Sequence, residues 1–161
     1  MKEGELINIE YEIGLILTKF KNVEYVLDCI IANFVSAKRY EFFERAILNS
    51  GVMNTGSKLK VVRTIYNIKG LKERGHNFDK LFDKLHILLN LRNLFAHENY
   101  YEEASTNNIS GSLLITIDVF MKNGTFDTVR VEDKINEFND LHKEVYDEVT
   151  MLNAELSKVG D

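Results

Sequence analysis

The chain has 161 residues, 45% apolar and 28% charged, with a net charge of −5, which fits one globular domain and excludes a disordered or fibrous chain. Proline is absent and Cys29 is the sole cysteine, so the strongest helix breaker is missing and no internal disulfide can form. No apolar run approaches the roughly 20 residues that span a bilayer, and the acidic opening MKEGELINIEYE is unlike a signal peptide; the expectation is a cytoplasmic protein with no membrane partner.

From 5 to 35 the apolar residues Leu6, Ile9, Ile13, Ile16, Phe20, Val23, Leu27, Ile30 and Phe34 recur at steps of three and four. This predicts an amphipathic helix about 45 Å long at 1.5 Å per residue. Such an overhanging helix invites a partner chain. Cys29, among Val26, Leu27, Ile30 and Ile31, reads as a small buried hydrophobe. A second helix is predicted over 38–49 and a third over 57–69, with Ser57 as its cap and Gly70 as its C-terminal glycine. A fourth begins after the capping residue Asn77 and runs to His97. Composition then turns β-rich around Asn123-Gly124, a strong hairpin signal. Leu113, Ile115, Ile117, Val119 and Met121 alternate onto one face that must cover something apolar. A last helix is predicted over 132–157. The expected architecture is a single domain, 1–161. It is an all-α, up-and-down bundle of about five helices, with a β-hairpin insertion at 109–131 before the last helix.

Charge is uneven. Lys58, Lys60, Arg63, Lys69, Lys72 and Arg74 face Glu73 alone between Ser57 and His76, a local +5. The stretch reads either as a solvated helix face or as a landing strip for the phosphates of RNA.

The fourth helix separates into two populations at about 100° per residue. Asp79, Asp83, His86, Asn90, Asn93 and His97 form a narrow polar ribbon, and nearly all else is Leu, Phe or Ile. So broad an apolar surface predicts a helix buried nearly all round. Arg92 breaks the pattern, lying alongside Leu81, Leu85 and Leu88. An arginine at a core-type position must reach water, pair with an acid or line a cavity.

Arg92-Asn93-Leu94-Phe95-Ala96-His97 resembles the signature of the HEPN superfamily: an arginine, a polar residue that is often Asn, and a histidine after a gap of four to six residues. The resemblance spans about 5–100 and the last helix. It implies a helical bundle and a metal-independent endoribonuclease of toxin or phage-defence type, with Arg92, Asn93 and His97 as catalytic residues. It also implies a homodimer that brings two motifs into one cleft, RNA as substrate, and an antitoxin protein as a further partner. Lys58, Lys60, Arg63, Lys69 and Lys72 would contact the RNA, and no metal or cofactor is expected. In one subset a tyrosine modified by the antitoxin stands two residues after the histidine. Here Glu98 and Asn99 follow, and the tyrosines are Tyr100 and Tyr101. The hairpin also lies outside the minimal family fold. A non-catalytic helical module of the same fold, binding RNA, nucleotide or another protein, is the alternative. Other chemistries lack their residues: His76, His86 and His142 show no HExxH or Cys/His metal spacing, and there is no Gly-rich phosphate loop or GxSxG.

Overall fold

The computed structural model describes residues 9–35, 47–48, 53–97, 100–103, 114–120 and 124–159. The second predicted helix, 38–49, falls almost wholly outside them. Among the described residues there are four helices: α1 (Ile9–Val35), α2 (Thr55–Ile68), α3 (Asp79–His97) and α4 (Val131–Lys158). Three short strands, β1 (Tyr100–Glu103), β2 (Leu114–Phe120) and β3 (Phe126–Arg130), lie between α3 and α4. No described helix is long and apolar enough to cross a membrane.

The first helix forms the centre. Its stripe of Ile16, Phe20, Val23, Leu27, Ile30 and Ile31 is at most 3% exposed, and α2, α3 and α4 all pack on it. The last helix answers with Phe138, Val145, Val149 and Leu152, each fully buried. Lys19 Nζ donates to Asn139 Oδ1 at 2.7 Å. At the other end Lys69 lies over the Phe34 ring and donates to the Val159 carbonyl. The two long helices therefore run in the same direction. Between α3 and α4 the pairing is antiparallel: Lys84 bridges Glu144 and Glu148 at 2.6 Å each, while His76 lies 3.6 Å from Glu155.

Local rules set the helix ends. Asn54, in extended backbone, caps α2 by accepting from the Ser57 N–H at 2.9 Å. Ser57 is thus the capped residue and not the cap, because the asparagine one turn earlier is an equally good acceptor. Gly70, at φ +62°, follows α2 as the predicted left-handed glycine. Asn77 Oδ1 accepts from the Asp79 N–H at 2.9 Å where α3 begins.

The hairpin forms as the sequence suggests, with β2 and β3 antiparallel and the pair Phe120↔Phe126 bracketing Gly124 at φ +84°. Ile117 is fully buried and Val119 partly so, both from the predicted apolar face. Thr116, from the opposite face, is also buried at 5%. The third strand was not anticipated. β1 pairs antiparallel with β2 from Tyr100↔Ile117 to Glu103↔Leu114, making a sheet of order β1-β2-β3 that packs on α4.

One lysine of the basic stretch is inside the protein. Lys58 is 3% exposed, and its Nζ sits 2.9 and 3.0 Å from the two Asp28 carboxylate oxygens and 3.3 Å from Glu24 Oε1. Thr55 Oγ1 donates to the same Glu24 oxygen at 2.7 Å. For Lys58 the structure corrects both sequence readings, the solvated face and the phosphate landing strip. Removing one partner of a buried pair leaves the other charge uncompensated. Lys58→Met should destabilise the fold by about 3–5 kcal/mol, and Lys58→Met with Asp28→Leu should recover most of that loss. Urea denaturation measures both; a single variant within about 1 kcal/mol of wild type would contradict the pairing.

His142 of α4 lies between Phe138 and Tyr146, with ring centroids 5.7 and 5.9 Å away. Its Nε2 is 3.1 Å from the Lys19 carbonyl, which can only accept, so Nε2 carries the proton. Burial holds the imidazole pKa below its usual 6.5, and the Lys19 charge adds to this; the hydrogen bond and Asp147 oppose it. The folded state therefore favours the neutral ring. Its contribution is complete above pH 6.5 and declines as pH falls below that value, where the unfolded chain takes the proton first. His142→Gln keeps a donor for the carbonyl and should flatten that part of the stability–pH curve in denaturation titrations. An unchanged slope would assign the acid sensitivity elsewhere.

Candidate functional site

The last turns of α3 carry the motif, and their surroundings follow from the helix's position at one side of the bundle. Leu81, Phe82, Leu85, Leu88, Leu91 and Phe95 are buried. Lys80, Asp83, His86, Asn90 and His97 are exposed, as is Ile87 at 48%. The expectation of burial nearly all round is thus corrected: α1, α2 and α4 cover one broad face, and the polar ribbon with Ile87 faces outward. Asn93 is half-buried where the ribbon meets the covered side.

Arg92 is half-buried and points from the covered face toward α1. Its guanidinium carbon lies 6.0 Å from the centre of the Phe20 ring, and Nη1 donates to Asn93 Oδ1 at 3.0 Å. The described partners of this cation are a ring and an amide, not a carboxylate. His97 is the exposed last residue of α3. Five residues separate it from Arg92, which on a helix is about 140° of rotation and about 7.5 Å of rise. Asn93 and His97, four apart, share a face. One chain therefore joins Arg92 to Asn93 and aligns Asn93 with His97, while the guanidinium and the imidazole diverge.

Three residues after His97 the chain enters β1, whose first residue pairs with the fully buried Ile117. The candidate site's last residue thus lies three residues along the chain from the sheet that the hairpin builds.

The other expected site residues are scattered. Lys60 and Arg63 are exposed on α2, with the Arg63 guanidinium 5.5 Å from the Phe82 ring. Lys69 is half-buried between Phe34 and the Val159 carbonyl. Lys72 is ion-paired with Asp79, whose carboxylate holds the ammonium pKa above its ordinary value. Arg74 is exposed. Cys29 is half-buried, less enclosed than expected. No group of three His, Cys, Asp or Glu residues among the described ones is placed to hold a metal ion. Comparison with family models, curated protein sequences and solved structures found no match to this chain.

Sequence reasoning missed Phe20 as the neighbour of Arg92. Its spacing marks it as core, and nothing local signals which ring a distant arginine will meet. Since Arg92 has no carboxylate partner among the described residues, Arg92→Leu should change stability by no more than about 1 kcal/mol. A loss of about 3 kcal/mol or more in thermal or urea unfolding would reveal an acidic partner.

Proposed function

We propose that this protein is a metal-independent endoribonuclease of HEPN type, acting as a toxin or phage-defence effector. The observation that carries the reading is the state of Arg92: a permanent cation, half-buried next to Asn93, held by uncharged groups and followed by an exposed histidine. RNA cleavage by its own 2′-hydroxyl requires a base for that proton, stabilisation of the phosphorane, and an acid for the leaving 5′-oxygen. An imidazole, with a reference pKa near 6.5, can take either proton role, and a two-fold dimer would supply a second imidazole for the other. The forked guanidinium donors match phosphoryl oxygens, and Asn93 orients that fork. The divergence of Arg92 and His97 within one chain supports a homodimer in which the arginine of one copy works with the histidine of the other. An antitoxin protein would restrain such an enzyme.

The alternative is a non-catalytic module of the same fold, which binds RNA, nucleotide or a protein. It is favoured by the fate of the basic stretch. Lys58 is internal, Lys69 is docked and Lys72 is paired, so fewer cations face a polyanion than the sequence suggests.

Purified protein incubated with total RNA in EDTA should yield fragments with 2′,3′-cyclic phosphate and 5′-hydroxyl ends. Arg92→Leu and His97→Ala should each abolish cleavage without unfolding, and light scattering of the wild-type protein should show a dimer. A concentration-independent monomer would sink the composite site. Binding of RNA without cleavage by the wild-type protein would favour the module.

A further inference from the structure

We infer that Phe20, in α1, is a positioning residue for Arg92: its ring fixes where the motif's guanidinium sits without discharging it. The inference rests on the ribonuclease reading for its catalytic consequence and on geometry for the hold itself. Phe20 is 3% exposed, so its ring is immobilised by the surrounding core, and the guanidinium carbon lies 6.0 Å from its centre. An aromatic face attracts a cation through its quadrupole and carries no net charge. A carboxylate at that place would hold the arginine more tightly but would neutralise the charge that a phosphate must meet. An aliphatic side chain would fill the volume with no preference for where the cation lies.

The second restraint has the same character. Asn93 Oδ1 accepts one N–H of the guanidinium at 3.0 Å, and a guanidinium has five, so donors remain for phosphoryl oxygens. Ring and amide restrain the group from different directions, one from α1 and one from α3. Preorganising a charge before the substrate arrives is what makes such groups effective in a transition state. This also gives the first helix a part in the site to which its own sequence contributes no polar catalytic group.

Replacing Phe20 with 4-fluoro-, 3,5-difluoro- and 3,4,5-trifluorophenylalanine weakens the ring's negative face in steps while nearly keeping its shape. Cleavage of RNA should fall in step, on the order of tenfold in kcat for the trifluoro protein, with KM and melting temperature little changed. The same series at Phe138, fully buried on α4, should leave cleavage unchanged. In parallel, NMR of the Arg92 guanidinium reads rotation about its Nε–Cζ bond, which should quicken stepwise as the ring releases it. If the wild-type protein does not cleave RNA, the ribonuclease reading fails and the rotation series alone decides whether Phe20 holds Arg92. Rotation that does not respond to fluorination overturns the hold. Rotation that responds while cleavage stays level overturns the positioning role.

Discussion

The bundle depends on how one helix is covered. The apolar face of α1 is too broad for a single neighbour, so three helices share it, and each must meet it at the correct height. Apolar packing gives most of the driving force but is tolerant of sliding. The Lys58 ammonium between Asp28 and Glu24 is not tolerant: a one-turn slip would leave buried charges unpaired. Such a pair adds little net stability compared with an apolar substitute, and its physical effect is to make alternative registers costly. Thr55, bonded to the same Glu24 oxygen, ties the start of α2 to that height.

Much of this was legible from periodicity. The residues from Ile16 to Ile31, and Ile135, Phe138, Val145, Val149 and Leu152 of the last helix, enter the core at helical spacing. Asn77, Gly70 and Gly124 announced helix ends and a turn through backbone requirements that few residues meet. What escaped was everything settled by distant partners. YYEE carries no alternating pattern, and β1 exists because β2 presents an unpaired edge to the chain leaving α3. Lys58 looked like its neighbours Lys60 and Arg63, since charge in a sequence does not say which side of a helix finds acids in another.

The candidate site divides along the same line. That Arg92 stands at an apolar position of its helix was readable by rotation alone, and the structure does turn it toward α1. Its outcome, a ring and an amide rather than a carboxylate, required the bundle. The spacing from Arg92 to His97 fixes their divergence, whatever the tertiary fold. The sequence could not show that the sheet joins the helix at the motif's end.

That junction changes the statistical freedom of the imidazole. The final turn of a helix ordinarily frays, with opening free energies near the low end for a folded protein. Here the chain is bound from Tyr100 into a ladder whose partner residue, Ile117, is fully enclosed, so a strand anchored three residues beyond His97 limits how far the last turn of α3 can unwind. A side chain exposed to solvent is thus mounted on backbone that has already given up its disorder. The entropy that a terminal residue would lose on engaging a ligand has in part been lost at folding, at a position otherwise among the most mobile on a helix.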